Sequence, residues 1–152
     1  MALLSLMRTV TLFNGLSDEQ LRRLLAISEE EVYNAGDVIV AQGSTGDKLY
    51  FITDGQVEVR VRGEADHAEH LQVYLGRGQI FGEMALLDEG PRSATVRCSR
   101  DHTVLRSIRS QAFNALCGTD TAIGYVVMRN IARDLSFKLR HSNLALGADG
   151  AC

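Results

Sequence analysis

The fold of this chain is restricted most strongly by a series of short β-rich runs that glycines separate. Nine of the 14 glycines fall between Gly36 and Gly90. The runs lie at residues 38–40, 49–52, 57–61, 71–75, 94–96 and 103–105. The 57–61 run alternates between apolar and polar residues, which is the period of a half-exposed strand. Many short strands joined by glycine-rich turns are typical of a β-sandwich or a β-barrel.

Helical patterns lie on both sides of the β-rich region. Ser17 and Gln20 have the spacing of a capping box, which predicts a helix start at Ser17. After Ser110 the sequence predicts a short helix that Gly118 ends, and then a longer helix from residue 121 to about 142. An apolar residue recurs at every fourth position of the longer helix: Ile123, Val127, Ile131, Leu135 and Leu139.

We therefore predict a single domain that spans residues 1–152. A chain of this length can bury a sizeable core, and its 45% hydrophobic and 23% charged content is ordinary for a globular protein. The predicted parts are an N-terminal helical part (1–31), a β region (32–109), C-terminal helices (110–143) and a frayed tail (144–152).

Charge and cysteine content argue against several kinds of function. A net charge of −3 suits DNA poorly, and the few residues after the long helix are too short for a helix-turn-helix module, so we expect no nucleic-acid partner. The three cysteines are odd in number and widely spaced, which favours free thiols in a reducing cytoplasm. No apolar run approaches the about 18 residues that a membrane span requires, so we expect no direct membrane insertion. We also find no catalytic constellation and expect no metal site.

Residues 81–97 carry the pattern of an anion site next to a hydroxyl-binding site. Gly82 precedes a short helical turn, whose free backbone N–H groups attract an anion. Arg92, a few residues later, offers a guanidinium fork that grips the same anion through two hydrogen bonds. Glu83 lies nearby, and a carboxylate beside an anion is reasonable if it accepts hydrogen bonds from a sugar hydroxyl. The segment therefore indicates a nucleotide with one compact phosphate.

This segment resembles the phosphate-binding cassette of the cyclic nucleotide-binding domain family. The family pattern, F-G-E-hydrophobic-A-L followed by a short loop and P-R-small-A-T/S-V, is matched throughout by residues 81–97. Upstream, residues 36–39 and 43–52 match the family's G-D-x-I and G-x-x-G-D-x-hydrophobic-aromatic-F-I motifs. The resemblance covers about residues 12 to 142. It implies a mainly β fold with flanking α-helices: an eight-stranded antiparallel β-roll with an N-terminal helix, a short cassette helix and C-terminal helices.

The resemblance also implies a set of ligand-binding residues. Arg92 and Ser93 would contact the cyclic phosphate, and Glu83 would accept a hydrogen bond from the ribose 2′-hydroxyl. The full set of expected cyclic nucleotide contacts is Phe81, Gly82, Glu83, Met84, Ala85, Arg92, Ser93 and Ala94. Glycines 36, 43, 46 and 55 are interpreted as structural turns rather than as binding residues.

Recognition of the base is less sharply indicated by the sequence. In the family the long C-terminal helix covers the base as a lid, and the candidates here are Arg133, Phe137, Lys138 and Arg140. Phe137 has an alternative role in the core. Serine at position 93 favours cAMP over cGMP without deciding between them.

The resemblance implies a sensor with no cofactor and no enzymatic activity. Its ligand would be cAMP or cGMP, and its partner an effector protein or domain that responds to movement of the C-terminal helix. A homodimer through that helix is an additional expectation. Two alternatives remain open: a regulatory fragment of a cyclic nucleotide-gated channel, a transporter or a kinase, and a β-roll that no longer binds ligand and serves as an interaction module.

Overall fold

Eight strands pair into two four-stranded antiparallel sheets that form the walls of a β-roll. The computed structural model describes the backbone of residues 2–148 and the side chains of residues 3–141. The strands are β1 (Ser28–Tyr33), β2 (Val38–Val40), β3 (Lys48–Asp54), β4 (Gln56–Arg62), β5 (Glu69–Gly76), β6 (Ile80–Phe81), β7 (Thr95–Cys98) and β8 (Thr103–Arg109). One sheet has the order β1-β8-β3-β6 and the other β2-β7-β4-β5. The predicted fold class, mainly β with flanking helices, is confirmed.

The helices flank the two sheets in the predicted order. They are α1 (Ala2–Thr9), α2 (Asp18–Ala26), α3 (Ser110–Thr119) and α4 (Thr121–Ala148), with short 3₁₀ helices at Thr11–Phe13 and Glu83–Leu86. The capping box predicted for α2 is present, since Ser17 Oγ accepts from Gln20 N at 3.2 Å and Gln20 Oε1 accepts from Ser17 N at 2.9 Å. Among the described residues, no helix is both long and apolar enough to cross a membrane.

Strand β1 begins at Ser28, whereas the sequence placed residues 28–31 in the helical part. Three consecutive glutamates hide the strand pattern in this region. One of them, Glu31, turns its carboxylate toward Ser107 on the neighbouring strand β8 and toward Lys48 on β3, the strand beyond it. In the sequence, a charged residue such as Glu31 does not indicate a strand, because the partners that allow it to point inward are not visible there.

The prediction that Gly118 ends the short C-terminal helix is wrong, since α3 continues to Thr119. Gly118 does not adopt the left-handed conformation that ends many helices. The helix is instead closed by Asp120, whose N–H donates to Leu116 O at 2.8 Å. The Asp120 carboxylate then accepts from Ile123 N at 3.3 Å and starts α4.

Two apolar clusters share strand β3 between them. Leu49 and Phe51 point toward the helices and join a cluster that includes Phe13 and Phe113. Tyr50 and Ile52 point between the two sheets and pack with the residues Val57, Phe81, Val96 and Leu105. Because both faces of β3 are buried, this strand provides a rigid base for the loops at its ends.

The fully buried apolar contacts of helix α4 with the body of the protein are confined to its first half. Ile123, Val127 and Ile131 are at most 1% exposed, whereas Leu139 of the same apolar stripe is 61% exposed. Asn130 fixes the helix further, since its Nδ2 donates to Leu12 O at 2.8 Å and to Asn14 O at 2.9 Å. The part of the predicted frayed tail at 144–148 continues α4, and residues 149–152 lie outside the described residues.

Candidate functional site

The cassette, residues 81–97, begins with a turn that requires glycine. Gly82 has a φ of +77°, and a Cβ there would lie 2.5 Å from Arg92 Nη1 and 2.9 Å from Lys48 O. The short 3₁₀ helix that follows is closed by the bond from Ala85 N to Gly82 O at 3.1 Å. The turn therefore places Glu83 directly after β6 and next to the Arg92 side chain.

The two motifs of the sequence meet at Arg92. Its backbone N–H donates to Ser44 O at 2.7 Å, and its carbonyl accepts from Gly43 N at 2.8 Å. Thr45 and Pro91 form an isolated antiparallel bridge beside these bonds. The loop at residues 43–46 is thus hydrogen-bonded to the arginine segment of the cassette.

The Arg92 guanidinium is held in place by backbone carbonyls and by an aromatic ring. Nη2 donates to Lys48 O at 2.9 Å, and Nη1 lies 3.5 Å from Gly82 O. The Tyr50 ring centroid is 5.9 Å from Cζ, and Tyr50 is itself stacked on Phe81 with 4.7 Å between ring centroids. Among the described side chains no carboxylate pairs with this guanidinium, so its charge is available to an anion.

Gly46 provides the space for this arrangement. A Cβ at position 46 would lie 2.1 Å from Arg92 Nε and 2.3 Å from Arg92 Cζ. Gly46 has no left-handed φ, so its backbone alone does not require glycine. From the sequence we interpreted Gly46 only as a turn residue, because nothing in the spacing of residues 46 and 92 indicates that they touch.

A polar cluster around Glu31 stabilises the beginning of β3, at Lys48. Glu31 accepts hydrogen bonds from Tyr33 Oη at 2.5 Å, from Ser107 Oγ at 2.6 Å and from Lys48 Nζ at 3.1 Å. Burial alone would raise the pKa of Glu31, but the hydrogen bonds from Ser107, Tyr33 and Lys48 together outweigh it, and the pKa is lowered. Burial also raises the pKa of Tyr50 to about 12, so this phenol stays neutral beside Arg92. The cluster fixes Lys48, whose carbonyl holds the guanidinium.

Glu83 is shielded from solvent and paired with the C-terminal helix. Its side chain is 16% exposed, and its Oε1 lies 3.6 Å from Lys138 Nζ. Lys138 also pairs with Asp134, one helical turn earlier, at 2.9 Å. The hydrogen bond to Asp134 and then the charge of Glu83 raise the pKa of Lys138, so the lysine is charged at neutral pH.

Arg92 and Glu83 line a common cavity of about 280 Å³. Its lining also includes the polar residues Ser93 and Lys138 and the small residue Ala94. The remaining walls are apolar side chains of the β-roll: Val40, Val59, Val73, Leu75, Ile80, Phe81 and Val96. An unpaired guanidinium, a shielded carboxylate and an apolar floor suit an anion, a hydroxyl and a flat ring respectively. The apolar floor was not singled out in the sequence, where these residues look like ordinary core.

The structure brings most of the expected cassette residues together. Phe81 and Ala85 are buried, Gly82 and Ala94 are half-buried, and Ser93 is exposed at the mouth of the cavity. Met84 is 49% exposed and, like Ala85, lines a smaller cavity of about 130 Å³ rather than the 280 Å³ cavity. The two cavities share Gly82, Glu83, Arg92 and Ser93.

Only one of the four lid candidates, Lys138, reaches the cassette. Arg133, Phe137 and Arg140 line a separate groove on the outer face of α4. There the Phe137 ring lies 4.0 Å from the His141 ring, measured between centroids. In this conformation of the helix, the three residues do not face the cavity.

The metal and thiol chemistry of the described residues is limited. No group of three or more His, Cys, Asp or Glu side chains within the described part of the chain is arranged to hold a metal ion. Cys98 and Cys117 are free thiols, and Cys152 lies outside the described residues.

Fold and site together define a known class of domain. The family model of the cyclic nucleotide-binding domain matches residues 30–120, which is more than half of the chain. The chain therefore belongs to the cyclic nucleotide-binding domain family, and the resemblance seen in the sequence is confirmed.

Relatives of the chain include both cAMP-named and cGMP-named proteins. The cyclic AMP receptor protein of Thermus thermophilus is 32% identical over 140 residues, which are 92% of this chain and 62% of that protein. The Drosophila melanogaster cGMP-dependent protein kinase, isozyme 2 forms cD5/T2, is 33% identical over 111 residues, which are 72% of this chain but 12% of the kinase. The crystal structure of the Thermus thermophilus catabolite activator protein superposes with a TM-score of 0.81 at 32% identity, covering 92% of this chain and 63% of that one. The chain thus spans less than two thirds of each of these relatives.

Proposed function

We propose that this domain is a non-enzymatic sensor of cyclic nucleotides, with cAMP favoured over cGMP, and that ligand binding moves α4 and is transmitted to a partner. The observation that carries the proposal is the pairing of an uncompensated Arg92 guanidinium with a shielded Glu83 carboxylate at one cavity with an apolar floor. The Arg92 guanidinium suits an anion, and the Glu83 carboxylate can accept a hydrogen bond from a neutral hydroxyl.

The cyclic phosphate would bind at Arg92. Its two carbonyl contacts use only part of the five N–H donors of a guanidinium, and the others remain for phosphate oxygens. The exposed hydroxyl of Ser93 is adjacent and supplies a further donor. Because the guanidinium is already oriented by Tyr50, Lys48 and Gly46, little side-chain entropy is lost on binding.

The ribose would bind at Glu83. Its carboxylate lies on the same cavity as Arg92 and is shielded from water, which strengthens a hydrogen bond from a sugar hydroxyl. A deoxyribose ligand would leave this carboxylate without that donor. The site is therefore expected to discriminate between ribose and deoxyribose.

The base would pack against the valine-rich floor of the cavity. This floor offers dispersion contacts to any flat ring, so the preference for cAMP must come from elsewhere. It is supported by serine at position 93 and by the cAMP-named relative that covers 92% of the chain, although a cGMP-named kinase is also a relative. Helix α4 would move so that its C-terminal half approaches the base.

Titration calorimetry of the protein with cAMP, cGMP and 5′-AMP tests the proposal. We expect saturable binding of cAMP, weaker or comparable binding of cGMP, and much weaker binding of 5′-AMP, whose open phosphate has a different shape and charge. Replacing cAMP by 2′-deoxy-cAMP should weaken binding by removing the hydroxyl that Glu83 accepts. If neither cyclic nucleotide binds at millimolar concentration, the domain is not a cyclic nucleotide sensor.

A further inference from the structure

The C-terminal half of α4 is linked to the cassette by a single lysine. Lys138 extends from a helix position that is 60% exposed to Glu83, whose side chain is only 16% exposed. It is the one residue of the described part of α4 that lines the 280 Å³ cavity. It also lines a neighbouring cavity of about 250 Å³ between α4 and the β-roll, together with Asn130 and Asp134.

This link lies where the packing of α4 has ended. Ile131 is the last side chain of the helix that is fully buried among the described residues, and Leu135 is half-buried. From 136 to 141 every described side chain is exposed. The position of this segment against the β-roll therefore depends strongly on the contact between Lys138 and Glu83.

We propose that Lys138 competes with the ligand for Glu83, so that it lowers the affinity of the site, and that its displacement frees the end of α4 to move toward the base. The inference rests on the proposed function, because Glu83 is the carboxylate assigned to the ribose. The ammonium group lies 3.6 Å from Oε1, on the cavity side where a ribose hydroxyl would approach. A hydroxyl that approaches this oxygen from the cavity competes with the ammonium for it, and Asp134 at 2.9 Å from Nζ can keep the ammonium when Glu83 is taken.

Competition predicts the opposite result from a lid contact. If Lys138 were a lid residue that contacts bound nucleotide, its removal would weaken binding. If Lys138 competes for Glu83, its removal tightens binding by about twofold to fivefold, the value of a partly exposed ion pair of ~0.4–1 kcal/mol. The direction of the change decides between the two functions.

The binding experiment compares Lys138→Met with Arg129→Met by cAMP calorimetry. Both variants remove one cation from α4, but Arg129 is exposed on the outer face and contacts the Tyr125 ring rather than the cavity. We expect a lower Kd for Lys138→Met and an unchanged Kd for Arg129→Met. An unchanged or higher Kd for Lys138→Met overturns the inference, while the wild-type titration separately reports on the proposed function.

A ligand-free measurement tests the same contact without any nucleotide. Lys138→Met should speed amide hydrogen exchange in residues 134–141, and Glu83→Gln should do the same because it removes the other partner. The double variant should exchange no faster than Lys138→Met alone, and Arg129→Met should behave as the wild type. If Glu83→Gln leaves exchange in this segment unchanged, the pair does not hold the helix and the inference is wrong, whatever the wild type binds.

Discussion

The Gly46→Ala variant tests whether the orientation of the Arg92 side chain matters for ligand binding, because it keeps the arginine but changes the direction of its guanidinium. The substitution adds one methyl group, and the backbone at Gly46 tolerates it because φ is not in the left-handed region. The new Cβ would lie 2.1 Å from Arg92 Nε and 2.3 Å from Cζ. Both atoms belong to a flexible side chain, so we expect the guanidinium to swing away from Lys48 O while the β-roll stays folded.

The size of the effect follows from what the displaced guanidinium loses. Removing one partner from a desolvated charge pair costs roughly 2–5 kcal/mol. Displacement loses only part of this, about 1–3 kcal/mol, since the charge remains near the phosphate. The expected weakening of cAMP binding is therefore about fivefold to a hundredfold.

Calorimetry with Gly46→Ala and with Gly118→Ala measures this directly. Gly118 lies in α3, has no left-handed φ, and a Cβ there meets nothing within 4 Å, so it is a matched glycine-to-alanine control. Its Kd should equal that of the wild type, and its melting temperature should not fall. If Gly46→Ala also binds as the wild type does, Gly46 does not position Arg92 and the interpretation of the loop is wrong.

Four further variants test other parts of the site and of the fold. Arg92→Ala should weaken cAMP binding by roughly 2–5 kcal/mol and Glu83→Ala by roughly 1.5–3 kcal/mol, because a hydroxyl is neutral and a phosphate is charged; calorimetry that ranks them in reverse contradicts this division. Glu31→Gln should cost about 1–2 kcal/mol of unfolding free energy at neutral pH by denaturant titration. The folded pKa of Glu31 is lowered from 4.5, so its contribution is complete above about pH 5, and the difference from wild type should shrink as the pH falls through the lowered value; a difference that is constant with pH refutes the assignment. Truncation before Arg133 keeps the buried residue Ile131 and should weaken cAMP binding by about tenfold to a hundredfold, because contacts between α4 and the base are lost. The loss of Lys138 in the same truncation removes its competition for Glu83, but this offsets the weakening by only a few-fold. Full affinity in the truncated chain would show that α4 does not cover the ligand.

The β-roll and the two ends of the ligand site were predictable from the sequence because each has a local signature. Glycines separate the strands, and the cassette motif places Glu83 and Arg92 within ten residues of each other. Residues 28–31 of strand β1 were not predicted as a strand, because Ser107 and Lys48, the partners of Glu31, lie far away in the sequence.

The parts of the site that depend on contacts between distant segments were not predictable. Gly46 meets Arg92 only after β3 and the cassette have folded together, and no residue pattern encodes that approach. The orientation of α4 also depends on contacts between segments that are distant in the sequence. The apolar residues at every fourth position of α4 predicted a packed face. Which of Arg133, Phe137 and Lys138 faces the cavity depends on how the helix lies against the β-roll.

The thermal stability of the protein with and without cyclic nucleotide shows whether the folded domain binds this ligand. A ligand at about 100 times its Kd that binds only the folded state adds about 2.7 kcal/mol. For a domain of this size that is a rise in melting temperature of roughly 5–10 °C. We predict this rise with cAMP, a smaller or similar rise with cGMP, and little or none for Arg92→Ala at the same ligand concentration. Melting curves that neither nucleotide shifts at millimolar concentration would contradict it.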